Sequence, residues 1–156
     1  MKARQDENND DSGHRLKLIR DAQNVKGRVI EEHHTDRMED YLEVIYELIK
    51  KKGYATQTDI SESLNVSLPS VTKMLHRLDE SKHLKYEKYR GINLTEEGIE
   101  VAENIHEKHG LLSEFFKMIG VDEDVANIDA EGIEHHLHPQ TMKKLREFTR
   151  NHKKEA

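Results

Sequence analysis

The chain has 156 residues, no cysteine and a formal net charge of −6, with 36% of its residues charged and 34% hydrophobic. That length holds one ordinary domain or two small ones, and the missing cysteines exclude a disulfide framework and a zinc–thiolate site. No apolar run approaches bilayer-spanning length and the N-terminus has no secretory-signal core, so a cytoplasmic protein with no membrane partner is expected.

Residues 1–35 are mostly charged or polar, with a weak apolar patch at Leu16, Leu18 and Ile19. Such a segment buries too little to offset its ordering entropy and reads as a mobile arm. Its Arg15, Lys17, Arg20, Lys26 and Arg28 could reach DNA phosphates. His14, His33 and His34 are assigned no role.

A first firm helix is expected from Asp36, which pairs with Glu39 as a cap, because Tyr41, Leu42, Ile45, Leu48 and Ile49 repeat at helical spacing. Gly53 ends it in a left-handed C-cap. Two short helices follow: Ile60 and Leu64 face the core from the first, Asn65-Val66 makes a turn, and Ser67 caps a second helix carrying Val71, Met74, Leu75 and Leu78. Pro69 fits the first turn of that helix, where its missing amide hydrogen costs nothing. From His83 to Thr95 the apolar period becomes two, with Leu84 and Tyr86 on one strand and Ile92 and Leu94 on the next, joined through Tyr89-Arg90-Gly91. This is a winged helix-turn-helix pattern, expected over residues 36–95, with the second helix in a DNA major groove and the hairpin tip near phosphates. Between Ser67 and Arg90 six basic residues face three acidic ones, so the window is positive although the chain is acidic. A winged helix used only for protein contacts is the alternative.

Residues 96–156 are expected to form an all-helical second domain, completing a mostly α fold. Thr95 caps a helix with Ile99, Ala102, Ile105, His106 and His109 in one stripe. Gly110 is expected to interrupt it before an apolar helix with Leu111, Leu112, Phe115, Phe116 and Ile119 that ends at Gly120. With a mean hydropathy of −0.93 a monomer buries little, so a homodimer is expected, and this apolar helix is its best interface. A helix from about Asp122 to Leu137 follows, and Pro139 breaks the chain before a last helix with Met142, Leu145 and Phe148. Gly132 costs about 1 kcal/mol in mid-helix, which close approach to a metal or a neighbouring helix would explain.

Chemistry gathers on these helices. Glu131, Glu134 and His135 stand at i, i+3 and i+4, Asp40 and Glu43 at i, i+3, and His106 and His109 at i, i+3, spacings that put side chains on one face. A solvated acidic stripe, or carboxylates favoured by a helix N-terminus, is the plainer reading of each pair alone. Together, Asp40, Glu43, His109, Glu131, Glu134 and His135 offer more donors than one tetrahedral zinc needs, and four carboxylates invite bridging between two divalent ions. Oxygen-rich ligation without sulfur suits manganese, magnesium or calcium, and the two imidazoles tilt the choice toward manganese or ferrous iron. His106, His136 and His138 are left as flanking groups.

Four segments carry a family likeness: Glu39-Asp40-Tyr41-x-Glu43, Pro69-Ser70-Val71-Thr72-Lys73-Met74, Tyr86-Glu87-Lys88-Tyr89-Arg90-Gly91 and Glu131-Gly132-Ile133-Glu134-His135-His136. From about Met38 to Phe148 the chain resembles the manganese-responsive branch of the diphtheria toxin repressor family, in its two-domain form. The resemblance implies a homodimer that holds two Mn2+ per subunit through Asp40, Glu43, His109, Glu131, Glu134 and His135, with Glu43 and Glu134 bridging, and that represses manganese-uptake genes. The iron-responsive branch has methionine at the position of Asp40 and cysteine at that of Glu131. The first 35 residues exceed the shortest members, and some relatives have a longer last helix.

On this basis Mn2+ acts as corepressor by tying the first helix to the dimerisation half, which fixes the spacing of two recognition helices on palindromic operator DNA. Ser67, Pro69, Ser70, Thr72 and Lys73 are the candidate contacts at the recognition helix, and Arg77, Lys88 and Arg90 the candidate phosphate contacts. No catalytic residue and no small organic substrate are expected. The competing readings are an iron- or zinc-responsive regulator, a metal-independent winged-helix regulator, and a carboxylate-bridged dimetal enzyme.

Overall fold

The computed structural model describes residues 6–155, with side chains for residues 14–22 and 36–155. In chain order the elements are α1 (Asp6–Lys52), α2 (Gln57–Leu64), α3 (Leu68–Glu80), β1 (Leu84–Glu87), β2 (Gly91–Leu94), α4 (Glu96–Met118), α5 (Glu123–Ile133) and α6 (Pro139–Glu155). The fold is mostly helical, with one two-stranded antiparallel sheet among the described residues.

Residues 38–156 form one compact unit and residues 1–37 another. In the first of these, α1 buries Tyr41, Leu42 and Ile45, one face of a helical repeat. Gly53, with φ of +86°, closes α1 through its amide, which donates to the Ile49 carbonyl. A capping box starts α2: the Thr56 hydroxyl accepts from the Asp59 amide, and the Asp59 carboxylate accepts from the Thr56 amide. Asn65, left-handed at φ 52°, turns the chain into Ser67, whose hydroxyl caps α3 by accepting from the Ser70 amide. Side chains from α1, α2, α3, β1, β2 and α4 share a core that includes Ile60, Val71, Leu75, Leu78, Leu84, Ile92 and Ala102.

The hairpin pairs Leu84 with Leu94 and Tyr86 with Ile92, which puts its apolar side chains on one face. Its tip is Lys88-Tyr89-Arg90, and Gly91 lies in β2 rather than in the connection. The hairpin lies against the start of α4 at Gly98, where an added Cβ would stand 1.9 Å from the His83 carbonyl oxygen. A second, smaller core joins α4, α5 and α6 through Leu112, Ala130 and Met142, with Phe116, Ile133 and Leu145 packed around it.

Several elements differ from the sequence expectation. Helix α1 begins at Asp6, so Asp36 and Glu39 are interior residues rather than a cap. Leu16, Leu18 and Ile19 stay exposed on it. The side chains of Lys26, Arg28, His33 and His34 lie outside the described residues. Gly110 does not interrupt α4, which runs unbroken through it; one glycine costs about 1 kcal/mol, less than the packing on either side supplies. Helix α5 stops at Ile133 rather than Leu137. Gly132 therefore sits in its last turn, and nothing within 4 Å would meet an added Cβ, so no close approach explains this glycine. No described helix is long and apolar enough to cross a membrane.

Candidate metal centre

Three segments converge where α1 passes α4 and the exit of α5. Glu134 caps α5 in helical conformation, with φ −56° and ψ −32°, and its amide donates to the Ala130 carbonyl. The i, i+3 relation to Glu131 thus survives at the helix end, and His135 is the first residue of the turn toward α6. The Glu134 side chain is fully buried and lies between two imidazoles: Oε2 is 3.1 Å from His109 Nδ1 and Oε1 is 3.4 Å from His135 Nε2. Glu131 Oε1 is 3.3 Å from the same His109 nitrogen, and Asp40 Oδ1 is 2.9 Å from the same His135 nitrogen. One donor atom from each of His109, Glu131 and Glu134 lies within 4.8 Å of the other two. Glu43 lines an open groove of about 810 Å3 with Asp40, Glu47 and Glu131.

The electrostatics are those of several carboxylates crowded around one imidazole. Burial first, then repulsion from Glu131 and Glu43, pushes Glu134 up from 4.5 to about 8. Glu43 rises to about 7 through burial and then the charges of Glu131 and Asp40. Burial opposes a charge on His135, yet hydrogen bonding and attraction from Asp40, Glu39 and Glu134 outweigh it and raise this imidazole to about 10. Despite the crowding, Glu134 Oε1 is buried without a hydrogen-bond partner, and His135 Nε2 is buried with the Asp40 carboxylate 2.9 Å away. Unpaired buried polar atoms are costly. A divalent cation accepted by these oxygen and nitrogen donors would satisfy Glu134 Oε1, so the residues fit such an ion.

Three polar residues that spacing alone did not single out stand behind the donors. Glu39 Oε2 is 2.7 Å from His135 Nδ1. Asn127 Oδ1 is 3.3 Å from His109 Nε2 and accepts a hydrogen bond of 2.8 Å from the Ser113 hydroxyl. A helical signal existed, since Asn127 precedes Glu131 by four residues and Ser113 follows His109 by four. His106 lies outside the cluster, with Nδ1 3.5 Å from Glu47 Oε1 at an exposed position.

The DNA-facing candidates are arranged on α3 and the hairpin. Ser67, Pro69, Ser70 and Lys73 are exposed at the start of α3, with the Ser67 and Ser70 hydroxyls 2.8 Å apart. The half-buried Thr72 is engaged inside the fold, where its hydroxyl donates to Gln57 Oε1 at 2.9 Å. Gln57 in turn donates to the Tyr86 hydroxyl, which links α2, α3 and the hairpin. Arg77 is half-buried in the last turn of α3. At the hairpin tip Lys88 lies over the ring of Tyr89, and Arg90 is 3.2 Å from Glu87.

The chain matches two family descriptions in succession. Residues 33–92 match "Iron dependent repressor, N-terminal DNA binding domain", and residues 95–155 match "Iron dependent repressor, metal binding and dimerisation domain". Among solved structures, the manganese regulator SloR is 29% identical, with a TM-score of 0.63 over 71% of this chain and 52% of that one. IdeR of T. acidophilum is 33% identical, with a TM-score of 0.63 over 70% and 52% of the two chains. ScaR with bound Zn2+ is 28% identical, with a TM-score of 0.62 over 71% and 52%. The chain thus spans about half the length of these solved structures.

Proposed function

From the premise that this chain belongs to the iron-dependent repressor family, the family of the diphtheria toxin repressor, we propose that it is a manganese-responsive transcriptional repressor. It binds palindromic operator DNA as a metal-loaded homodimer and represses manganese-uptake genes. The observation that carries this reading is the position of Glu134, buried with one oxygen toward His109 and the other toward His135. That is the arrangement a bridging carboxylate needs. It divides the donors into two half-sites, His109 with Glu131 and His135 with Asp40, and Glu43 faces the groove they share. Two Mn2+ per subunit would be held by Asp40, Glu43, His109, Glu131, Glu134 and His135. When bound, the ions supply the positive charge that the crowded carboxylates lack.

The regulatory consequence follows from which element carries which donor. Asp40 and Glu43 project from α1, whose neighbouring face packs into the winged-helix core. His109 belongs to α4, and Glu131, Glu134 and His135 to α5 and its exit. Without cations, repulsion among the carboxylates opposes the pairing of Glu39 and Asp40 with His135 that draws α1 to the α5 exit. With them, the two halves lock and hold α3 at the spacing an operator demands, so binding of metal and of DNA favour each other. In this scheme residues 1–35 are an arm, 36–95 the DNA-binding domain and 96–156 the metal-binding and dimerisation domain, and the protein works in the cytoplasm. Ser67, Pro69, Ser70 and Lys73 face the DNA, with Thr72 holding α3 to α2 behind them, and Arg77, Lys88 and Arg90 face its phosphates.

Ferrous iron is the second reading, favoured by the metal named in the family description. Against it stand Asp40 and Glu131, at whose positions the iron-responsive branch of the family it resembles has methionine and cysteine. The test is fluorescence anisotropy of metal-stripped protein against a duplex selected from a random pool, with Mn2+, Fe2+, Zn2+ or chelator at fixed salt. Binding that requires Mn2+ and is lost in Glu134→Gln supports the proposal. Equal binding in chelator refutes it, and a response to Fe2+ alone moves the assignment to iron.

A further inference from the structure

His109 offers two ring nitrogens, and the residues around it treat them differently. Nδ1 faces the carboxylates of Glu131 and Glu134 at 3.3 and 3.1 Å. Nε2 faces Asn127 Oδ1 at 3.3 Å. An amide oxygen only accepts, so the nitrogen turned toward it carries the hydrogen. The same oxygen accepts from Ser113, a buried residue one turn beyond His109 on α4. With its oxygen inward the Asn127 amide serves both the Ser113 hydroxyl and the ring, whereas the opposite orientation would turn its nitrogen toward the ring. Nδ1 also faces acceptors, but it is the nitrogen that a cation among those carboxylates would take, so with the hydrogen of Nε2 held by Asn127 the neutral ring would offer its Nδ1 lone pair to that ion.

We propose that Asn127, held by Ser113, is a positioning residue that fixes the His109 tautomer and presents Nδ1 as the metal-ligating atom. The inference rests on the reading of His109 as a ligand. It also makes the centre asymmetric: Glu39 takes the Nδ1 hydrogen of His135 and leaves Nε2 to face the donors there, so the two imidazoles are delivered through opposite nitrogens. A ring freed from Asn127 would divide its population between tautomers and rotate within its site, and only a fraction would be competent to ligate. Orienting partners of this type change metal affinity by about 10- to 100-fold when removed.

Two readouts test this. In Zn2+-loaded protein labelled with 15N at histidine, long-range proton–nitrogen correlation spectra should show His109 with its hydrogen on Nε2 and the metal-shifted resonance on Nδ1. In competition against a chromophoric chelator, Asn127→Leu should weaken Mn2+ binding by about 10- to 100-fold. Ser113→Ala should weaken it less, and Asn127→Asp, which keeps an acceptor oxygen, should recover most of the loss. Ligation of His109 through Nε2, or unchanged affinity in a folded Asn127→Leu, overturns the inference. If Asn127→Leu does not fold, the wild-type spectrum and Ser113→Ala decide. His109→Ala separates the two levels. Loss of affinity there without loss in Asn127→Leu removes only the positioning role, whereas no loss in His109→Ala removes the ligand assignment itself.

Discussion

Glu39 Oε2 and His135 Nδ1 lie 2.7 Å apart although 96 residues separate them in the chain. This contact connects the helix that supports the winged-helix core to the turn that leaves α5, and it leaves Nε2 of His135 facing Asp40 and Glu134. Glu39→Ala is predicted to weaken Mn2+ binding by about 10- to 100-fold, as removal of an orienting carboxylate does elsewhere. Chelator competition measures this. An affinity equal to wild type would mean that packing alone orients the ring.

The stability of the metal-free protein should fall as pH rises. Folded Glu43 and Glu134 titrate near 7 and 8 rather than 4.5, so between about pH 4.5 and 8 the folded chain holds more protons than the unfolded one. His135 acts in the same direction. Its value is raised from 6.5 to about 10, so the stability it contributes is complete below 6.5 and is lost as pH rises toward 10. Asp59, held down to about 2 by Lys52 and Thr56, acts with opposite sign and only below about pH 4. The thermal midpoint in chelator should therefore drop by several degrees from pH 5.5 to 8, given about 2–4 °C per kcal/mol for a chain of this size. With saturating Mn2+ the drop should shrink or reverse. A midpoint in chelator that is flat or rising over this range would contradict the crowded-carboxylate picture.

Much of the winged helix was legible because its signals are local. The Asn65-Val66 turn, Ser67 with Pro69, and the period-two residues Leu84, Tyr86, Ile92 and Leu94 each act within a few residues or across one hairpin, whereas the Thr56–Asp59 box appeared only in the structure. The gathering of donors on one helical face was also visible as spacing. The end of α5 at Ile133 was not, because Glu134 keeps helical angles while the chain has already begun to turn. Nor were the orienting residues prominent: Glu39, Asn127 and Ser113 are ordinary polar residues until folding sets them against His135 and His109. The start of α1 was missed because the mostly charged and polar sequence of residues 1–35 lacks the repeating apolar stripe used to find helices.

The proposed phosphate contacts make a separate prediction. Lys88→Ala and Arg90→Ala should each weaken DNA binding across sequences and lower the salt slope by about one. Anisotropy titrations at several salt concentrations measure the slope. An unchanged slope in either variant removes that residue from the interface.

Two glycines should respond in opposite ways to the same change. Gly98→Ala drives a Cβ against the His83 carbonyl and should destabilise the fold by about 1–3 kcal/mol. Gly132→Ala meets nothing within 4 Å and should stabilise it by about 0.4–1 kcal/mol, with Mn2+ affinity unchanged. Denaturant unfolding measures both. A destabilised Gly132→Ala would show that the α5 exit needs glycine after all.

The central claim is that metal at this centre and DNA at α3 bias one and the same conformation. Coupling of that kind is reciprocal. The direct measurement is the Mn2+ dissociation constant, read from the free-ion electron paramagnetic resonance signal, with and without saturating operator duplex. The account predicts that DNA tightens Mn2+ binding by the same factor by which Mn2+ tightens DNA binding, and that Glu134→Gln abolishes both effects. An Mn2+ affinity that is identical with and without operator would contradict it.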